Sequence, residues 1–479
     1  MRRFSHDPTA GCNSARHSRR KVLEIGCSTM LGFGLPGMLA GRAAVAEAVA
    51  NVVNSPIQSG KHRAKSVLFI FLFGGPSQLD TFDMKPEAPA DFRGEFRPIA
   101  TKTPGLEICE HLPLLAQQTE KLAVVRTMSC NPGYGDHRFA VHGLLGGIDE
   151  LPAGAGLVAS RRDWPALPSV VEFLKPRSDG LPNAVVVPKE LIDPASGTYP
   201  GQNAGLLGAQ YDPYRVAQDP NDAKYRVDES LRMPDGVSLD RLGSKRSLLA
   251  SIDNQRAELA ARAEIGAYTS QQHEAFRVLT SGRLANALSL DSETTETRDR
   301  YGRHQFGQTL LLARRMLDAD VSIIQANLSH HAFWDTHYNN FKGLRDLLPP
   351  LDRAVSALLT DLQASGRLSE TLVVMMGEFG RTPKLVPPDG KLSHFTTPGR
   401  DHWTQCFWGA FAGAGVRGGQ VIGKSDAVAA YPVTTPYTHA DVAATVYQAL
   451  GIDPATAIRD IQGRPLQLNH GHRIEALYS

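Results

Sequence analysis

Ser66-Val-Leu-Phe-Ile-Phe-Leu-Phe-Gly-Gly-Pro-Ser-Gln-Leu-Asp-Thr-Phe-Asp83 is the stretch on which the reading of the fold turns. Val67 to Phe73 is an unbroken run of branched and aromatic apolar residues, the pattern of a strand buried on both faces of a parallel sheet. Gly74-Gly75-Pro76 stops it abruptly. In open α/β sheets ligands bind beyond the carboxyl ends of the strands, so Ser77, Asp80 and Asp83 fall where chemistry is expected. The plainer alternative is that Ser77 and Asp80 only cap a turn.

Working outward, the same punctuation recurs. Leu122 to Met128 reads as a second strand, leaving through Cys130-Asn-Pro-Gly-Tyr-Gly-Asp-His137 into a helix from about Asp136 to Leu145. A helix over Phe306–Ala319 precedes a strand Val321–Ala326, whose exit is Ser329-His-His-Ala-Phe-Trp-Asp-Thr-His337. A helix over Leu351–Gln363 precedes a strand Thr371–Met376, whose exit is Gly377-Glu-Phe-Gly-Arg-Thr-Pro383. Gly399-Arg-Asp-His-Trp403 leads to the apolar Phe407–Ala412, and a helix Asp441–Leu450 nears the end. Residues 148 to about 300 differ: Pro-rich connections, one short strand Ala184–Val187 and a polar helical stretch Leu239–Leu288 suggest a helical and loop insertion over one edge of the sheet. Strands alternating with helices predict a mostly parallel sheet sandwiched between helices, with a site along one rim.

Residues 1–46 read as an export signal: Ser18-Arg-Arg-Lys-Val-Leu23 is a twin-arginine pattern, followed by a Gly-interrupted apolar segment and a small-residue site at Ala44-Val45-Ala46. That segment is too broken for the roughly 20 apolar residues of a spanning helix. Residues 47–65 read as a polar linker and 66–475 as one domain. The chain of 479 residues carries 51 Lys and Arg against 49 Asp and Glu. The signal holds seven of the basic and two of the acidic residues, more than the whole excess, so the remainder is slightly acidic and has no global drive toward nucleic acid. Of five cysteines, Cys109, Cys130 and Cys406 lie beyond the signal, with no Cys-x-x-Cys among them. This excludes a disulfide framework and argues against a thiolate metal site, leaving one Cys109–Cys130 bridge open.

The predicted strand ends bring Asp80, Asp335, His337, Glu378 and His402 to one rim. Such mixed oxygen and nitrogen donors suit Zn, Mn or Fe, or Ca or Mg if the histidines do not ligate. Clustered carboxylates without a cation raise one another's pKa, so a divalent metal is the simplest compensation. The alternatives are a polar loop with one structural histidine among His330, His331 and His337, and a salt bridge from Glu378 to Arg381.

Phe73-Gly-Gly-Pro-Ser-Gln-Leu-Asp-Thr-Phe-Asp-Met-Lys-Pro86, Gly377-Glu-Phe-Gly-Arg-Thr-Pro383, Gly399-Arg-Asp-His-Trp403 and Asp441-Val-Ala-Ala-Thr-Val-Tyr-Gln-Ala-Leu-Gly451 resemble the DUF1501 family of exported bacterial proteins. That resemblance implies an alkaline phosphatase/sulfatase-like fold with a metal centre at the carboxyl rim of the sheet. It implies Asp80 on one metal, Asp335 and His337 on another, Glu378 in the place of an Asp-His pair, and His402 as the last metal histidine. It also places His137 where phosphatases and sulfatases carry a Ser, Thr or Cys nucleophile, counted back from Leu144-Leu-Gly-Gly147. Phe379, after Glu378, cannot ligate, which puts a complete second metal position in doubt.

His137 is therefore a candidate nucleophile, general base or metal ligand. At a helix start it is expected to be neutral near pH 7. Arg381 and Arg400 are candidates for gripping an anionic ester, and Arg381 for catalysis. The reading that follows is an exported, periplasmic or envelope hydrolase of phosphate or sulfate esters, with polysaccharide or glycoconjugate as candidate bearers of the ester, and carried by the Tat translocase. The competing reading is a non-catalytic envelope-associated binding protein that keeps the fold and one metal.

Overall fold

The computed structural model describes residues 64–193, 197–226, 282–329, 331–388, 396–460 and 462–479, all within the compact unit Ser55–Ser479. The export signal, most of the linker, His330 and most of the helical stretch expected over Leu239–Leu288 lie outside these residues. No helix among the described residues is long and apolar enough to cross a membrane.

The main sheet is built from β1 (Ser66–Phe71), β2 (Leu122–Met128), β3 (Ala184–Val187), β4 (Tyr214–Arg215), β5 (Ile323–Asn327), β6 (Thr371–Met376), β7 (Phe407–Ala412) and β8 (Gln420–Ile422). Its order is β8-β2-β7-β6-β1-β5-β3-β4. All pairings are parallel except those of β7, which runs against both β6 and β2. β1 lies near the middle, as its apolar run predicts. Leu68, Ile70 and Leu72 join one core, while Val67, Phe69, Phe71 and Phe73 join the other. Period-two alternation thus buries both faces of one strand.

The first core is covered by α3 (Gln305–Asp318) and α4 (Asn340–Ala364), the second by α1 (His137–Gly146), α2 (Leu167–Leu174) and α5 (His439–Ala449). This is the expected α/β sandwich. The sequence reading started α4 at Leu351, after Pro349-Pro350, because interior prolines remove backbone donors and crowd the preceding turn. The helix instead begins at Asn340 and runs through both prolines. Phe341, Leu344, Leu348 and Leu351 are buried on it, and packing of that apolar stripe outweighs the local proline cost.

Residues 148–226 do not simply lie over the sheet. They supply β3 and β4 to its edge and α2 to one helical layer. Ala184–Val187 is fully buried and pairs in parallel with β5, a strand-forming segment using its ladder groups. Cys109, Cys130 and Cys406 are all buried free thiols, so the Cys109–Cys130 bridge does not form. Burial raises all three thiol pKa values, Cys109 and Cys406 to about 12.

Register carries these elements to one rim. Phe71 at the end of β1 is level with Met376 of β6 and Asn327 of β5. Because β7 is antiparallel, its first residue Phe407 is level with Met128, the end of β2. Five segments far apart in sequence therefore meet at one end of the sheet.

Candidate metal centre

Each segment delivers one part of the site. The exit of β2 turns through Gly135 into α1, whose first residue is His137 and whose N-cap Asp136 accepts from the Arg138 amide at 2.8 Å. The exit of β5 carries Asp335 and His337, and that of β6 carries Glu378. His402 sits on a two-residue ladder, His402–Trp403 against Gly380–Arg381, just before β7.

Asp335 is the hub. Its Oδ1 lies 3.1 Å from His402 Nε2 and 3.0 Å from His337 Nε2, and its Oδ2 lies 3.1 Å from His137 Nε2. Arg381 Nη1 pairs with Oδ1 at 2.5 Å. The opposite nitrogen of every imidazole is anchored from behind. His137 Nδ1 meets Glu378 Oε1 at 2.5 Å, His402 Nδ1 donates to the Gly135 carbonyl at 2.6 Å, and His337 Nδ1 meets Asp401 Oδ1 at 2.6 Å. Metal-binding histidines characteristically donate their far N–H to a carboxylate or carbonyl, which fixes the tautomer and aims the other nitrogen.

His137, Asp335 and His402 form a candidate metal-binding triad, with ligand atoms within 4.8 Å of one another. The donor set fits a cation on the structure's own evidence. His137 Nε2 is buried and, although close to Asp335, out of alignment for a hydrogen bond. His337 Nε2 and His402 Nε2 face each other at 3.0 Å. With both Nδ1–H groups committed, two lone pairs and a carboxylate oxygen converge, an arrangement that only a proton or a metal between them relieves. Phe379, which cannot ligate, has its ring 4.8 Å from that of His137 and 4.6 Å from that of His402, and walls the imidazoles on their apolar side.

The electrostatics follow from these neighbours. Burial opposes protonation of His137, yet the carboxylates of Asp335 and Glu378 in contact with it outweigh burial and raise its pKa to about 9. The helix-start argument for a neutral imidazole thus loses to two carboxylates in direct contact. Burial lowers the pKa of Tyr-stacked His439 to about 4, so it stays neutral and donates Nε2–H to the Glu378 carbonyl at 2.8 Å. Burial also lowers that of His402, helped by the charges on Arg381 and His137, whereas the Asp335 hydrogen bond raises that of His337. Asp335 is held far below the usual carboxylate range: burial pushes it up, but Arg381 and the three imidazoles prevail.

In the metal-free protein this sets a pH dependence. With a folded pKa above the ordinary 6.5, His137 contributes stability that is fully present below that value and lost as pH rises through about 9. Metal uptake must displace the same proton, so affinity should rise across that window. Thermal melts of stripped protein between about pH 6 and 10 test this; a melting temperature that rises through the window contradicts it.

Several residues marked in the sequence have other places. Asp80 is not part of the cluster. It is fully buried and its carboxylate is taken by Arg400 Nε at 2.7 Å and Nη2 at 3.1 Å, with Ser77 Oγ at 2.6 Å and Asn340 Nδ2 at 3.0 Å. Arg400, also fully buried, spends its remaining donors on the carbonyls of Phe92, Thr382 and Pro383. It has no face for a substrate. Arg381 is likewise fully buried, bound to Asp335 and to the carbonyls of Gly74, Gly75 and Arg400, so neither guanidinium grips an external ester. Glu378 neither ligates nor pairs with Arg381 but stands behind His137. Asp83 is tied to Ser425, to Lys85 at 3.0 Å and to Arg126 at 3.3 Å. Asp401, which the sequence reading passed over, anchors His337; its position inside Gly399-Arg-Asp-His-Trp403, beside a marked histidine, was the available signal.

An α/β protein with a candidate histidine-carboxylate metal centre at the carboxyl rim of its sheet is thus defined. The chain belongs to the DUF1501 family, described as a protein of unknown function, whose model matches residues 64–478. No curated protein matches it in sequence. Similar solved structures include Ps i-CgsB in complex with k-i-k-neocarrahexaose, at 12% identity and TM-score 0.39 over 86% of this chain and 75% of that one. The lipoteichoic acid synthase LtaP from Listeria monocytogenes is similar at 10% identity and TM-score 0.34, over 89% and 80%. The alkaline phosphatase from the Antarctic bacterium TAB5 is similar at 12% identity and TM-score 0.35, over 81% and 98%. These likenesses are distant, and the chemistry below stands on this chain's own residues.

Proposed function

We propose that this chain is an exported metal-dependent hydrolase of phosphate or sulfate esters that uses water as the attacking group. The observation that carries the reading is the convergence of three back-anchored imidazoles on Asp335. A divalent cation held by His137, Asp335 and His402 would supply Lewis-acid polarisation of an ester oxygen and activation of water. Zn, Mn or Fe suits two nitrogens and one oxygen better than Mg or Ca. Glu378 and the Gly135 carbonyl hold the two ligating rings in place, and Phe379 keeps water from their apolar side. His337, the most exposed imidazole with 35% of its side chain accessible, is placed to carry a proton between the site and solvent. His137 is anchored at Nδ1 by Glu378 while its buried Nε2 has no aligned hydrogen bond, which favours a ligand's role over a nucleophile's.

The substrate class follows the family resemblance, with polysaccharide or glycoconjugate of the envelope as the bearer. The test is metal analysis of protein purified without chelator, followed by aryl-phosphate and aryl-sulfate hydrolysis with and without added metal. Metal-dependent turnover of either ester is the expected result. Full metal occupancy with no turnover would favour the binding-protein reading, which rests on the absence of a hydroxyl or thiol at His137, the residue that opens α1.

Export by the Tat translocase belongs to the same proposal. Replacing Arg19 and Arg20 by Lys keeps the charge but removes the twin-arginine signature, so the precursor should remain in the cytoplasm. Cell fractionation reads this directly, and normal export of the double variant would refute it.

A further inference from the structure

Two of the groups in contact with His137 and Asp335, Glu378 and Arg381, lead back to the backbone of a single residue. Gly74, just past β1, donates its N–H to both oxygens of Glu378, at 3.0 and 3.1 Å. Its carbonyl accepts from Arg381 Nη2. Glu378 in turn holds His137, and Arg381 holds Asp335. Since His137 Nε2 and Asp335 Oδ2 face each other at 3.1 Å, the circuit closes: Gly74 N–H, Glu378, His137, Asp335, Arg381, Gly74 carbonyl.

Resting on the metal-centre reading above, we propose that the backbone of Gly74 is the positioning element of the site, clamping the His137 and Asp335 ligands through Glu378 and Arg381. Three further observations make it a rigid reference. Gly74 has a φ of +118°, a conformation L side chains rarely adopt. A Cβ there would stand 2.5 Å from the Asp335 amide nitrogen and 2.8 Å from Trp334 backbone atoms, so the β5 exit lies directly against it. Glu378 and Arg381 are themselves fixed by bonds that do not involve the site: His439 to the Glu378 carbonyl, and Gln78, whose Oε1 accepts from the Arg381 amide at 3.0 Å. Both side chains are fully buried. A residue just past the central strand, held through both its N–H and its carbonyl, can set ligand spacing more tightly than flexible loops can.

Glu378 and Arg381 are positioning residues in this scheme, neither ligands nor substrate contacts. Glu378→Gln keeps the shape but offers His137 a weaker or wrongly directed partner; Arg381→Lys keeps the charge but loses the planar fork. In the full mature chain, Co2+ titration followed by visible absorption and calorimetry should show affinity about 10- to 100-fold weaker in each variant, with an altered Co2+ spectrum. Because both act through the backbone of one residue, the double variant should lose less than the product of the single losses. Wild-type affinity and spectrum in both single variants, or strictly multiplicative losses, would overturn the clamp.

A readout without metal separates the clamp from the metal reading. In stripped protein the Gly74 amide proton should exchange slowly with solvent, and both substitutions should speed it. Unchanged exchange in Glu378→Gln overturns the clamp whatever the metal does, and that variant decides alone should Arg381→Lys not fold. Failure of the wild-type chain to bind Co2+ or Zn2+, with exchange behaving as expected, would remove the metal centre while leaving the clamp standing.

Discussion

Asp335→Ala should empty the metal centre and lower the melting temperature in one step. Among the described residues the carboxylate is the only group that touches all three imidazoles and a buried guanidinium. Its removal deletes a ligand and leaves Arg381, fully buried, without its anionic partner. Breaking a buried ion pair from one side typically costs about 3–5 kcal/mol. The Asp335 side chain is 22% exposed, so the lower end of that range is the better expectation. Metal content should fall to background by elemental analysis, and any ester hydrolysis with it. His402→Ala should empty the site too, with a smaller stability loss, since no buried charge is stranded. Full occupancy in Asp335→Ala would mean that the triad is not the binding site.

Asp80→Ala should destabilise at least as strongly while leaving the metal in place. Asp80 and Arg400 are both fully buried, and the pair is bidentate, with Ser77 and Asn340 completing the carboxylate's hydrogen bonds. Truncating the acid leaves an unpaired guanidinium in the interior, for a loss of about 3–5 kcal/mol. Urea unfolding measures it. Folded Asp80→Ala should still bind one Zn2+ or Co2+ per chain with near wild-type affinity. If metal affinity collapses while stability holds, Asp80 is a ligand after all and the ion pair is not its working state. The two substitutions therefore separate two acidic residues that the sequence presents as equivalent members of one rim.

The difference between them was not legible in the chain. Both are aspartates a few residues past a buried strand, and both fit the expectation of a carboxylate at a strand exit. Asp80 is neutralised by Arg400, 320 positions later. Arg400 adjoins Asp401 and His402 and shares their motif, yet it faces the interior. Similarly, Glu378 and Arg381 lie close enough in sequence to suggest a local salt bridge. The intervening turn and the two-residue ladder with His402–Trp403 send Glu378 toward His137 and Arg381 toward Asp335. His137 was marked by its helix start, but its proton affinity is set by carboxylates from two other strands.

What the sequence by itself determined is the sheet: β1, β2, β3, β6 and β7 are short apolar runs bounded by Gly, Pro or polar residues, and burial on both faces leaves such runs few alternatives. With the strands came the rim, and with the rim the expectation that Asp80, Asp335, His337, Glu378 and His402 could meet, from which Asp80 departs. Tertiary structure alone decided which of them join the candidate triad, which orient its members, and which are spent on ion pairs. Strand register sets where a segment ends, whereas a charged side chain's role depends on the partner that arrives from elsewhere in the chain. For Asp80 that partner is a guanidinium, and for Asp335 it is three imidazoles. In a buried site, the neighbour within about 3 Å outweighs local sequence, because low dielectric magnifies each such contact.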